Sequence, residues 1–411
     1  MSPDGSEFKG RGGLLLASAI GLSAGMTATM FYSLGALIPP LEAEFGWSRG
    51  DISLAVTIMT VAIFLTGSVA GRLCERFGAA AVGAGSLVGY AAAVAIMVAT
   101  LSRIEELWAA YFIIAVIGVG STPIVLVRPI AAAFELRRGL ALGIALTGAG
   151  LAGFWVPQLV AGVTESHGWR SAYLALAAVA VMAAPIVWFG FRSVPEGTVA
   201  KNAVEAQGME VAEARRMPAY WVLTAMSFAM ASGIAGVVVH LVPLFRDLGS
   251  DPLEAARVAS LVGLSSVVGR LGVGLLLDRF PAPLVSLAVL GLAALGIVLL
   301  LLEGAAYGSA AALLLGLAAG AEIDLLAYLT AMHFGKKRYG AIYGWQYSVF
   351  ALGYGLSPFI VGRMRDSSGD YSSALAASAG LVAVSALLAL GLRAPEKTSR
   401  MASCSRTAET A

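Results

Sequence analysis

Uncharged apolar runs of roughly twenty residues or more recur from one end of this sequence to the other, and they leave few folds open. Leu14–Leu41, Gly78–Ser102 and Pro281–Leu302 contain no Asp, Glu, Lys or Arg. Crossing ~30 Å of hydrocarbon takes about 20 residues of helix, and lipid offers no partner to stray backbone groups, so such segments span as helices. Composition agrees, with 58% of the 411 residues hydrophobic and 13% charged, where soluble domains carry about 25% charged residues. The chain reads as an all-α polytopic membrane protein with the lipid bilayer as its solvent. The first apolar run is too long for a signal segment and lacks a small-residue cleavage site, so it reads as a retained span.

Several function classes fall away. Net charge is +2 and no basic cluster interleaves with aromatics, so no nucleic-acid partner is expected. Cys74 and Cys404 give no disulfide framework, and His167, His240 and His333 stand too far apart for a metal motif. With no nucleophile–base grouping and no phosphate loop, neither an enzyme nor a bound metal or cofactor is expected. Short tails leave little room for a signalling domain, although a non-transporting receptor or sensor stays open. A monomer is the expected state.

Twelve spans can be placed, at about 13–38, 52–73, 79–100, 107–134, 140–163, 169–191, 220–244, 255–277, 283–302, 306–332, 340–361 and 373–392. The one long polar break, Arg192–Pro218, carries Lys201, Glu205, Glu210, Glu213, Arg215 and Arg216. It divides the chain into a first half (1–191), a central loop (192–218), a second half (219–393) and a tail (394–411). Eighteen of the 27 Lys and Arg fall in segments on the side of the termini, against seven on the opposite side. By the positive-inside rule, the termini and central loop are cytoplasmic.

The halves repeat. Gly71–Gly78 reads GRLCERFG and Gly274–Pro281 reads GLLLDRFP, pairing Glu75 with Asp278 and Arg76 with Arg279. A nearly equal shift pairs Gly143 with Gly344, Pro157 with Pro358 and Gly168 with Gly369. Two parallel halves of six spans are a transporter architecture.

Against that background Arg270 stands out, because it lies mid-span in Val258–Phe280 and maps onto Gly67 in the other half. A guanidinium cannot shed its charge, and placing one in hydrocarbon costs at least ~2.5–3.5 kcal/mol, so such residues face a wet cavity or a partner. Arg270 is either the grip on an anionic substrate, held by two parallel hydrogen bonds, or the static counter-charge of Glu322 or Asp324. Those two carboxylates are mid-span as well. Two residues apart, they project about 200° apart on a helix, so one faces the cavity while the other faces a neighbour. Each is a proton-coupling candidate or a fixed partner of Arg270 or Arg128.

Arg128, late in the fourth span, is a second possible anion contact or a snorkelling residue. His240 in the seventh span could touch substrate or carry a proton, or be a hydrogen-bonded packing residue. Tyr32, Trp155, Gln158, Trp345, Gln346 and Tyr347 could line a path for a short organic acid or simply pack helices.

The loop Gly71–Gly78 resembles the G-x-L-x-D-R-x-G signature of the major facilitator superfamily, with Glu75 in the aspartate's place. FGWSRGDIS (Phe45–Ser53), RRGLALGIALTGAG (Arg137–Gly150), HGWRSAYLAL (His167–Leu176) and GRLGVGLLLDRF (Gly269–Phe280) are similar to its bacterial monocarboxylate transporter and oxalate/formate antiporter branch. The resemblance implies twelve helices in two pseudo-symmetric halves and Arg270 as substrate-binding arginine. It also implies a path lined by the first and eleventh spans, and a cytoplasmic gate of Glu75, Arg76, Asp278 and Arg279 with Arg72 and Arg138 as partners. The function implied is secondary transport of small organic anions, monocarboxylates foremost, by proton symport or exchange across a bacterial inner membrane. An exporter of a drug or other metabolite is the alternative. Two features depart from the pattern. Ser266 and Tyr32 stand where animal relatives carry an aspartate and a lysine, and no Lys or Arg lies between Gly340 and Val361. One cation suits a monoanion better than a dianion.

Overall fold

Two glycines decide how the longest apolar stretches fold back. Arg49–Thr100 is one helical stretch of 52 residues, which if straight would run about 78 Å, far more than a bilayer core. It reverses at Gly78, with φ 81° and ψ 156°, a conformation that a Cβ disfavours. Arg138–Phe191 reverses in the same way at Gly168, φ 80°. Gly78 is the last residue of the loop signature, so the signature's final glycine is the hairpin turn itself. In the second half Pro281 holds that place, and the turn opens into a break between Leu277 and Ala282.

The computed structural model describes residues 8, 10–134, 137–192, 208–335 and 337–392. Most of the central loop, with Lys201 and Glu205, lies outside the described residues. So do the tail with Cys404, the basic residues Lys9, Lys336, Arg393, Lys397, Arg400 and Arg406, and the side chain of Arg138. The helices are α1 (Gly12–Ser23), α2 (Met26–Phe45), α3 (Arg49–Thr100), α4 (Ile104–Gly118), α5 (Pro123–Leu126), α6 (Arg128–Ala133) and α7 (Arg138–Phe191) in the first half. After α8 (Val211–Arg216) come α9 (Pro218–Asp247), α10 (Pro252–Leu277), α11 (Ala282–Glu303), α12 (Gly308–Phe334), α13 (Tyr339–Ser368) and α14 (Ser372–Leu390). Among the described residues eight stretches are apolar enough to span, three of them 52 or 53 residues long and therefore crossing twice. Adding α13, too polar to count by hydropathy, gives twelve.

The first and fourth spans are broken, and each break satisfies the other. The first is interrupted at Ala24–Gly25. In the fourth, Pro123 and Pro129 lack the amide hydrogen that a continuous helix would use. Met26 N donates to Ser121 Oγ at 3.0 Å, Tyr90 Oη to Ala24 O at 2.6 Å and Ser18 Oγ to Leu126 O at 2.9 Å. In lipid such mutual satisfaction is what makes irregular backbone tolerable.

The repeat seen in sequence is present in the backbone. Pro157 and Pro358 both sit inside their helices, and Gly168 and Gly369 both take positive φ at the ends of those spans, although with different ψ (164° and −13°). The halves meet at close crossings where small residues let backbones touch, two of them as follows. On α7 and α10, a Cβ at Gly263 would strike the Gly153 and Phe154 backbone. On α3 and α13, Thr57 Oγ1 donates to Gly355 O at 2.7 Å, and a Cβ at Gly362 would come within 2.7 Å of Gly50 Cα. Below, the near face is where α1 begins and α14 ends, and the far face is the opposite one.

Candidate functional site

Close packing of α10 on α12 sets Arg270 in place. Added Cβ atoms at Gly269 and Gly320 would run into the backbones of Leu317 and Ser266, and one at Gly316 into Val262 and the Ser265 hydroxyl. With the two helices in backbone contact, Arg270 faces the later turns of α12. Its Nη1 lies 3.8 Å from Asp324 Oδ2, with side-chain exposures of 12% and 34%. Glu322 is buried, and the Arg270 charge acts on it as well. The pairing is by charge alone. Among the described residues Arg270 Nη1, Asp324 Oδ2 and Glu322 Oε1 have no hydrogen-bond partner. A buried guanidinium with an unspent donor beside two unspent acceptors is a polar centre equipped to take an oxyanion and to exchange partners.

Tyr32 on α2 packs where α7 crosses α10, since a Cβ at Gly153 would meet both its ring and the Gly263 backbone. Next to it Phe31 stacks on Tyr354 of α13 at 4.5 Å, so this aromatic contact joins the first and eleventh spans. The departure at Ser266 also has a physical account. Its hydroxyl donates to Gly263 O at 2.7 Å, at the buried contact with Gly150 on α7, where a carboxylate would have no room.

Of the sequence-derived substrate contacts, Tyr32 packs at the helix that carries Arg270 and the others lie elsewhere. Trp345 is 42% exposed, with Arg215 at 6.0 Å over its ring, on the side of α13 turned away from Arg270. Gln346 is fully buried and gives its amide to Tyr220 O at 3.1 Å, fastening α13 to α9. Trp155 Nε1 donates to Ser23 Oγ at 2.9 Å, and half-buried Gln158 bonds its own helix. Arg128 lies near Glu75, 3.5 Å away, and donates to Gly71 O at 3.3 Å. His240 belongs to a far-face network.

That network is the largest feature sequence reasoning missed. Arg49, 5% exposed at the start of α3, donates from Nη1 and Nη2 to the two oxygens of Asp247 on α9 at 2.8 and 2.7 Å. Its Nε donates to Glu42 at 2.9 Å, and Nη1 also reaches Tyr371 Oη at 3.0 Å. Arg365 on α13 pairs with Asp247 and Glu42 at 3.3 and 3.6 Å. Asp366 accepts from Gly50 N at 2.9 Å, so the second half caps the first helical turn of α3. Beneath it His240 bonds Tyr371 Oη at 2.9 Å, Pro358 O at 2.9 Å and Ser53 Oγ at 3.1 Å. The far face is thus latched half to half. The hints in sequence were the Arg49 of FGWSRGDIS and a far side otherwise poor in basic residues.

The near face differs. Glu75 pairs with Arg128 of its own half, while Arg76 lies 5.1 Å over Phe77. Asp278 and Arg279 are exposed and make no ion pair among the described residues. The end of the central loop is instead clasped to the second half. Met209 N donates to Phe334 O at 2.9 Å, and Glu210 binds Arg338 at 2.9 Å and Lys337 at 3.3 Å. Those hydrogen bonds, Arg338's first, hold the Glu210 carboxyl below the usual carboxylate range.

The model of the Major Facilitator Superfamily matches residues 20–358. Monocarboxylate transporter 13 of Bos taurus is 29% identical over 259 residues, a match spanning 62% of this chain and 60% of that protein's length. Monocarboxylate transporter 11 of Homo sapiens is 25% identical over 95% of this chain and 84% of its own. Among solved structures, a bacterial homologue of the human lysosomal transporter Spinster, in an inward-facing and occupied conformation, superposes with a TM-score of 0.71. That likeness covers 92% of this chain and 95% of the other at 15% identity.

Proposed function

This chain belongs to the Major Facilitator Superfamily, a family of transporters rather than enzymes, and we propose that it carries small organic anions, monocarboxylates foremost, by alternating access. The observation that carries the reading is Arg270, buried mid-span with an unspent Nη1 donor 3.8 Å from Asp324. Its chemistry fits one carboxylate, and no second fixed cation stands on α13 between Gly340 and Val361. Relatives named monocarboxylate transporters support the cargo class.

The two moving bodies are residues 1–191 and 219–393, joined by the cytoplasmic loop 192–218, with the termini cytoplasmic in a bacterial inner membrane. We read the state as inward-facing, a reading supported by the far-face latch that ties the halves together through Arg49–Asp247 and Gly50–Asp366. Incoming carboxylate takes the Arg270 donors, and Asp324, with Glu322 behind it, is released from the guanidinium to exchange a proton. Coupling is then symport when that proton travels with the cargo, and exchange when Arg270 must stay occupied for the halves to rock.

The test is uptake of labelled lactate, pyruvate and formate into proteoliposomes, with and without an inward proton gradient. Arg270→Gln removes uptake, whereas Arg270→Lys, which keeps the charge but loses the planar fork, retains a small part. Wild-type rates in Arg270→Gln vesicles would refute the anion grip.

A further inference from the structure

We propose that His240 is the proton-binding site of the far-face latch, and that a proton taken up there from the far side keeps the halves apart. This rests on the alternating-access reading above and adds a control on the far gate that the Arg270 centre does not supply.

The hydrogen bonds around His240 decide which atoms carry hydrogen. Nε2 lies 2.9 Å from Pro358 O, and a carbonyl only accepts, so Nε2 is the protonated nitrogen. Nδ1 lies 2.9 Å from Tyr371 Oη. That oxygen already accepts from Arg49 Nη1 at 3.0 Å, and a guanidinium only donates. The single phenolic hydrogen is left to point at Nδ1, which accepts it as the bare nitrogen of a neutral imidazole. Direction is thus settled along the whole chain, from Arg49 through Tyr371 and His240 to Pro358. Ser53 Oγ, 3.1 Å from Nε2, adds a contact to the first half.

A further proton has one place to go, Nδ1, and it reverses the middle link. Tyr371 Oη would then accept from both neighbours, while its own hydrogen finds no other acceptor among the described residues. A buried hydroxyl with an unmade bond is costly. The imidazolium and the Arg49 guanidinium would also face each other across one shared oxygen, as like charges in low dielectric. Arg49 and Ser53 belong to the first half, and His240, Pro358 and Tyr371 to the second, so relief means parting of the halves. The closed far face requires a neutral His240, and the open one does not. His240, Arg49 and Tyr371 are 1%, 5% and 6% exposed, so a proton reaches Nδ1 only as the latch parts, and then keeps it parted.

The surrounding charges are already engaged. Asp247 and Glu42 are each held by Arg49 and Arg365, and Asp366 by the amides of Gly50 and Arg49. Asp51 turns to Arg363 at 3.8 Å. Among the helices packed on α9, α14 carries no charged residue. Glu254 and Arg257 of α10, and Glu322 and Asp324 of α12, make no bond to His240 or Tyr371. A histidine that merely packs would not stand in series with the guanidinium that ties the halves. Acid on the far side therefore favours the state that loads cargo from that side.

The test is double electron–electron resonance on the full chain in lipid nanodiscs, with spin labels at exposed Ser102 and Ser373. It runs from about pH 8 to about pH 5.5, where an imidazole released from the network titrates. In wild type the open-to-closed ratio should rise about tenfold over that range, and no faster than about tenfold per pH unit, the limit for one linked proton. His240→Gln offers one donor and one acceptor but gains no charge, so it should stay closed throughout. Tyr371→Phe removes the shared oxygen, and should weaken closure while leaving little response to pH. A constant ratio in wild type overturns the proposal. So does a wild-type response in His240→Gln, which would assign it to Glu42, Asp247 or Asp366. If His240→Gln fails to fold, a full response in Tyr371→Phe overturns the chain instead. No cargo enters these measurements, so an unresponsive latch leaves the anion carrier standing. Uptake that survives Arg270→Gln would overturn the anion grip and leave the proton site in place.

Discussion

Replacing Arg49 with Gln should unlatch the far face. The side chain is 6% exposed and its main partner Asp247 is 32% exposed. Breaking a buried, hydrogen-bonded ion pair by removing one member costs about 3–5 kcal/mol. Asp247's partial exposure and the remaining Arg365 contact place this case at the low end, about 3 kcal/mol. The Arg49 bonds to Asp247 and Tyr371 join opposite halves, whereas Arg49–Glu42 lies within the first half and Arg365–Asp247 within the second, so the loss falls mainly on the state in which the far face is closed. About 3 kcal/mol corresponds to roughly a hundredfold change in the balance between closed and open states. A protein that holds the far face closed about 99% of the time would come close to an even mixture. Spin labels at Ser102 and Ser373, both exposed near the far face in opposite halves, report this by double electron–electron resonance. Wild type should give one short distance and Arg49→Gln a second, longer population, with Arg49→Lys between them. A folded Arg49→Gln protein with an unchanged distance distribution would refute the latch.

Three further outcomes follow from contacts elsewhere. Asp324→Asn removes the charge 3.8 Å from Arg270, so uptake should lose most of its stimulation by an inward proton gradient, and unchanged stimulation would remove Asp324 from coupling. Gly269→Ala drives a Cβ into the Leu317 backbone whereas Gly272→Ala meets nothing within 4 Å. The first should lower the melting temperature by the several degrees that overpacking of about 1–3 kcal/mol implies, and the second should leave it level or slightly raised. Glu210→Gln loosens the loop clasp. Because hydrogen bonds lower this carboxyl's folded pKa, its stabilisation is present above the unfolded carboxylate value and lost as pH falls through the lower folded one. Wild type should therefore melt above Glu210→Gln at neutral pH, and the gap should close in acid.

The architecture was legible because its determinants are local. Lipid forces apolar runs into helices, Gly78 and Gly168 turn them, and the paired loop motifs give away the duplication. Arg270 was legible for a related reason, since a charge in mid-span is improbable without use. The far-face latch was not, because its members look like ordinary loop-end charges until α3 is brought against α9 and α13. Arg49 and Asp247 are 198 residues apart, and Gly50 and Asp366 are 316 apart.

Helix phase explains the rest. Trp345, Gln346 and Tyr347 are consecutive, and each step turns the side chain by about 100°. Gln346 was expected on the path because it lies in the eleventh span, yet a buried amide in an apolar helix needs only some partner, and the Tyr220 carbonyl supplies it. Tyr347, one step further, shares its face with Tyr343 and Phe350. That face of α13 is marked by the periodic recurrence of aromatic residues, and Gln346 lies off it.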